Sequence, residues 1–159
     1  MNPALDLANE AEGLVDGLGL PRDRDTLESL AELRAVLRRL LANALAGAPL
    51  GAQDVHDLNA AAAAVPQFPQ LDTGDPGSPA LVLETRRLSP ITVALSAIAR
   101  SGVELLGTED RERLAVCRAP GCGNYYVATR QDRVWCSAAC GNRARVARHY
   151  RRTRAAPGG

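Results

Sequence analysis

The residues best suited to chemistry in this 159-residue chain are four cysteines, all near its end: Cys117, Cys122, Cys136 and Cys140. Their spacing, C-x4-C-x13-C-x3-C, makes two close pairs separated by a spacer. Thiolate sulfur suits Zn2+, which takes four ligands at the corners of a tetrahedron. The pattern points to one structural Zn2+ held by all four sulfurs. Four thiolates leave no open coordination position, and no H-x-E carboxylate stands beside them, so the ion is read as structural and not catalytic. Disulfides suit chains that pass through an oxidising compartment. The N-terminal stretch MNPALDLANEAEGLVDG reads as no secretory signal, with neither a basic start nor an apolar run. Dithiol redox chemistry would usually use C-x-x-C, which does not occur here.

Three elements must bring the two pairs together. The run C-R-A-P-G-C-G at 117–123 reads as a tight turn, in which Pro120, Gly121 and Gly123 let backbone N–H groups point at sulfur. The spacer reads as a hairpin: Tyr125–Ala128 extended, Thr129–Asp132 a polar turn, Arg133–Trp135 returning. Ser137 or Cys136 then begins a helix, which puts Cys136 and Cys140 at i and i+4 on its first turn. Turn, hairpin and helix, with two ligands at each end, describe a treble-clef-like zinc finger. Gly141 leaves room for a close approach beside the last ligand, and Asn142 is placed to bond across to the knuckle backbone.

The same helix continues as a basic rod carrying Arg143, Arg145, Arg148, Arg151, Arg152 and Arg154. At about 100° per residue, Arg145, Arg148 and Arg152 share a face, which the other three extend, and His149 lies beside it. Val146 and Tyr150 form the opposite strip, expected to pack on the hairpin near Trp135. Charge is divided along the chain. Residues 1–110 hold 8 Arg against 16 acidic residues, a balance of −8. Residues 111–159 hold 11 Arg against Glu112 and Asp132, a balance of +9. Four thiolates around Zn2+ would bring the second figure to about +7. Such a concentration attracts phosphate and releases counterions on binding. A helix of this kind fits a major groove, some Arg on phosphates and one or two on guanine edges. A solvated basic surface, or a basic module docked on the acidic body, remains the plain alternative. All 19 basic residues are Arg, so the choice of Arg over Lys carries no weight and only placement does.

The rest of the chain must position this segment. The chain is 46% hydrophobic and 23% charged, ordinary values for a globular protein. No window resembles a membrane span, so no membrane partner is expected, and the expected location is cytoplasmic. Asn2-Pro3 marks a helix start, with Leu7, Ala11, Leu14, Val15 and Leu18 near a helical period that Gly17 and Gly19 close. Asp25, with Glu28 as capping-box partner, begins the clearest helix. Its stripe is Leu27, Leu30, Leu33, Val36, Leu37, Leu40, Leu41 and Leu45, stopped at Gly47 and Pro49. A helix over 52–65, a Pro-rich loop over 66–79, a strand over 80–85 and a helix from Ser89-Pro90 to Gly107 follow. The last of these places Ile91, Leu95, Ile98 and Ala99 on one side. The predicted fold is mostly α: a multi-helical N-terminal domain over 1–110 and a small zinc finger over 111–159. The body has no GxSxG, P-loop or GxGxxG. His56, near Asp54 and Asp57, and the acids at 10, 12, 16, 23 and 25 read as solvated surface, so no enzyme is expected.

The string CSAACGNRARVAR at 136–148, the C-x4-C-Gly before it and Trp135 directly ahead of the third cysteine resemble the CGNR zinc-finger family. That family is named for the run that here is Cys140-Gly141-Asn142-Arg143. Residues 1–110, with LAELRAVLR at 30–38 and Asp57-Leu58-Asn59 before an Ala run, resemble the ABATE domain that accompanies it. The resemblance implies a bacterial, stress-induced transcription regulator. It implies DNA as partner, met by Asn142, Arg143, Arg145, Arg148, His149, Arg151 and Arg152, and a nucleoid-associated state when bound. The helical domain would serve as sensor, through a small-molecule or protein effector, or as the unit of a homodimer. The alternative is an adaptor whose finger binds protein or structured RNA, with Asn142 and Arg143 only stabilising the finger.

Overall fold

Two short helices, α1 (Pro3–Asn9) and α2 (Ala11–Gly17), open the chain in the computed structural model, which describes residues 2–72, 80–85, 88–130 and 132–155. The Asn2 side chain caps α1 by accepting the Leu5 N–H, and Pro3 occupies the first helical position. One continuous element is expected here, but the chain breaks at Glu10 (φ −150°, ψ 113°). The cause lies elsewhere in the sequence. Arg38 donates to the Ala8 carbonyl at 2.9 Å and Arg34 to that of Asn9 at 3.4 Å. These bonds satisfy end carbonyls that a continued helix would otherwise use.

Helix α3 (Arg24–Leu45) carries the long apolar stripe. Its cap is Asp23 and not Asp25: the Asp23 carboxylate accepts the Thr26 N–H at 2.8 Å, and Asp25 is already helical. Glu28 completes no capping box and pairs with Arg24 instead. Leu30, Leu33, Val36, Leu37, Leu40 and Leu41 are buried, while Leu27 and Leu45 at the ends are exposed. Gly47 ends the helix at φ +64°, with Gly47 N–H on the Ala44 carbonyl and Ala48 N–H on that of Asn43.

Helix α4 (Ala52–Ala63) leads to a ribbon of β1 (Gln67–Asp72) and β2 (Ala80–Thr85), paired antiparallel from Gln67↔Thr85 to Asp72↔Ala80. The first half of the expected loop over 66–79 is therefore a strand, and 73–79 lie outside the described residues. A two-stranded ribbon leaves each strand an outer edge, where Pro69 costs no ladder bond. Helix α5 (Pro90–Gly107), capped by Ser89, then crosses α1, α3 and α4. Gly102 permits the approach, since a Cβ there would stand 2.8 Å from Leu37 Cδ2. Leu7, Leu30, Leu37, Leu40, Leu41, Ile98 and Leu105 form the centre of the core. Each contributes about 1.5–3 kcal/mol by leaving water.

A 3-10 turn (Glu109–Arg111) precedes β3 (Leu114–Val116), which pairs antiparallel with β4 (Tyr125–Val127). This revises the expected hairpin. The partner of Tyr125–Val127 is the segment before the first cysteine, and Arg133–Trp135 runs without a ladder. Side chains alternate across the ribbon. Leu114, Tyr125 and Val127 join the core of the body, while Ala115 and Tyr126 face the cysteines. The chain ends its described course in α6 (Ala138–Ala155). Among the described residues no helix is long and apolar enough to cross a membrane.

Candidate metal centre

The loop between β3 and β4 is a knuckle. Cys117 N–H donates to the Asn124 carbonyl at 2.9 Å, and Cys122 N–H to that of Ala119 at 3.0 Å. Gly121 and Gly123 take φ of +69° and +138°, which other residues rarely adopt. The second pair comes from the start of α6. The Ser137 hydroxyl accepts the Cys140 N–H at 3.2 Å and so caps the helix. Cys136 thus stands just ahead of the cap, not on the first turn as expected, and Cys140 is the third helical residue.

All four sulfurs lie within 4.8 Å of one another. Cys122 Sγ is 3.8 Å from Cys136 Sγ, which is 3.5 Å from Cys140 Sγ. A tetrahedron with Zn–S bonds of about 2.3 Å has an edge of about 3.8 Å. The donor set and its dimensions therefore fit one Zn2+. Cys122 and Cys136 are pulled in opposite directions. The backbone N–H of Asn124, helped by that of Gly123, brings the Cys122 thiol down to about 7 against the effect of burial. Burial, and then the neighbouring thiols, push Cys136 up to about 12. Negative charges gathered this closely repel one another unless a cation stands among them. A bound divalent ion supplies that cation and deprotonates its thiol ligands outright.

A second layer fixes the ligands. The Trp135 indole lies on Gly141, where a Cβ would stand 3.2 Å from its Cδ1. Arg133 donates to the Trp135 carbonyl at 3.1 Å and the Cys136 carbonyl at 2.6 Å, and its guanidinium lies 5.3 Å from the centre of the Tyr126 ring. The Tyr126 hydroxyl donates to the Arg133 carbonyl at 2.8 Å. Arg143 donates to Cys140 Sγ at 3.9 Å and to the Pro120 carbonyl at 3.3 Å. The bond to the knuckle backbone expected of Asn142 is thus made by Arg143, and Asn142 is exposed. Sequence reasoning missed Arg133, because an Arg inside the spacer carries no signal of its own.

The finger is seated on the body by Asn9. Its carboxamide accepts the Tyr125 N–H at 2.7 Å and donates to the Tyr125 carbonyl at 2.9 Å, completing the free edge of β4 as another strand would. The Arg38 guanidinium lies 5.4 Å from the centre of the Tyr125 ring.

Beyond Ala144, α6 leaves the finger. Arg145, Arg148, His149, Arg151, Arg152 and Arg154 are exposed, and among the described residues none forms an ion pair. Val146 and Tyr150, expected to pack near Trp135, are 48% and 66% exposed. Arg118, on the knuckle, is exposed as well and was not singled out from the sequence. His56 is exposed, Asp16 pairs with Arg22, and Asp54 with Arg39.

Two family models match the chain. The CGNR zinc finger covers residues 113–153. ABATE, whose description reads "Putative stress-induced transcription regulator", covers residues 4–109. No curated protein matches. The chain therefore belongs to the ABATE family and carries a CGNR zinc finger, whose Cys117, Cys122, Cys136 and Cys140 fit one structural zinc ion.

Proposed function

We propose that the chain is a DNA-binding transcription regulator. The finger over 111–159 presents α6 to duplex DNA, and the helical domain over 1–110 senses a signal or forms a homodimer. One observation carries the reading: from Arg145 to Arg154 the helix stands clear with its cations exposed and unpaired among the described residues. This free length is about 15 Å at about 1.5 Å per residue, enough to cross a major groove about 12 Å wide. Arg145, Arg148, Arg151, Arg152 and His149 meet phosphates and base edges. Asn142 offers a carboxamide of the kind that reads adenine. Arg143 acts by holding Cys140 and the knuckle together. The family description supports a regulatory role. Selection from a random duplex pool with zinc-loaded protein, followed by salt titration of the winners, tests the reading. A regulator keeps a sequence preference at physiological salt; loss of all sequences together overturns it.

A second reading is favoured by Tyr150, a bare aromatic ring among arginines. Such a ring stacks on an unpaired base or fills a partner's pocket, so the finger would bind structured RNA or protein. Competition separates the readings, since an RNA-binding adaptor is displaced from its complex by folded RNA and not by duplex DNA, and a protein-binding one by neither.

A further inference from the structure

Where α1 gives way to α2, the break leaves a cleft of about 460 Å3. Asp6 and Glu10 supply two carboxylates to it, and Leu14 and Leu18 an apolar side. Gly13 and Gly17 keep the space between them open. Leu18 is 47% exposed despite its size. No Arg among the described residues pairs with Asp6 or Glu10. Burial raises the Asp6 carboxyl above its ordinary value, outweighing the opposite pull of the N-terminal ammonium, the mark of a group partly stripped of water. The cleft among α3, α4 and α5, about 550 Å3, differs in that a guanidinium, Arg39, lines it beside Glu32 and Asp57.

The far wall of the first cleft is Asn124. That residue belongs equally to the metal site. Its N–H points at Cys122 Sγ, and its carbonyl accepts the Cys117 N–H at 2.9 Å. Its neighbour Tyr125 is the residue clamped by Asn9. A further cleft of about 630 Å3 shares Asp6, Asn9 and Asn124 and runs on to Cys136.

The geometry points to an effector site in this cleft for a small organic cation with an apolar body, an amine, amidine or guanidine carried on a ring or short alkyl chain. Its charge sits between Asp6 and Glu10, and its apolar part lies on Leu14 and Leu18. Its presence is felt at the knuckle through Asn124. The carboxylates give the cleft its sign and the leucines set it apart from a general acidic surface. The site supplies the sensor half of the reading above with a ligand class. Its test contains no DNA, so the two fail separately.

The experiment is a 15N NMR titration of the zinc-loaded full chain with benzamidine. Saturable shifts are expected at the amides of Gly13, Gly17 and Asn124, with none at Ala61 or Leu95 beside the other cleft. Asp6→Asn with Glu10→Gln weakens binding at least tenfold while zinc content stays the same. Leu18→Gln, which keeps both charges, weakens it severalfold. Shifts that do not saturate, that leave Asn124 unmoved, or that survive the double variant overturn the proposal. So does spermidine, richer in charge but without a ring, binding the same amides as tightly as benzamidine.

Discussion

The helical body and the finger are held together by different physics. The body hides a run of leucines between α1, α3, α4 and α5, and its stability is spread over many contacts. The finger buries Cys117, Ala119, Tyr126 and Cys140 and little else. A cluster that small cannot offset the entropy of ordering its loops, so the ion must supply the difference. The contrast explains where the large aromatics went. The body is filled by Leu, Ala and Val, while Tyr125, Tyr126 and Trp135 are spent within the finger or at its seam.

Removing the metal is the sharpest way to break the comparison. Structural zinc contributes about 10–16 kcal/mol of apparent binding energy in isolated fingers. Chelation, or Cys136→Ser, should unfold the finger and abolish nucleic-acid binding while most of the helical circular dichroism persists. Elemental analysis and a binding assay check both halves; binding retained without zinc would contradict the scheme. Leu37→Ala does the reverse. It opens a cavity in the body and should cost about 2–5 kcal/mol in chemical denaturation, with zinc still bound to the folded fraction.

Asn9→Ala tests the seam. It leaves the N–H and carbonyl of Tyr125 without their partner and should cost about 1–3 kcal/mol. Hydrogen exchange at Tyr125 should accelerate more than exchange at Leu37. Smallest are the arginines, and they should divide into two kinds. Arg143→Ala lowers zinc affinity about tenfold, since it touches a ligand and the knuckle. Arg148→Ala and Arg152→Ala leave zinc content unchanged and each reduce the salt slope of DNA binding by about one. Unchanged affinity in both would favour the adaptor reading.

What could be read in advance follows the same division. The metal ligands were legible because residue type and spacing alone specify them. Helices α3 and α5 were legible because their periodicity and their stops are local. The missed features depend on partners distant in the chain. Glu10 breaks a helix because Arg34 and Arg38 take its end carbonyls. Leu114–Val116 is too short for any period to show, so β4 was paired with the wrong neighbour. Gln67–Asp72 reads as a loop because of Pro69 and the prolines on either side of the strand, and a ribbon's outer edge tolerates Pro69. The strip of Val146 and Tyr150 has a helical period yet stays largely exposed, and amphipathic spacing cannot report how much of a strip is covered.

Tyr125 and Tyr126 are consecutive, yet one ring belongs to the leucine core and the other to the cysteine cluster. In a strand that division rests on parity alone. Adding or deleting one residue between Cys122 and Tyr125 would exchange the two rings' destinations and upset both halves at once. The length of that short stretch is therefore a register mark for the whole molecule, and length variation among related chains should fall in other loops.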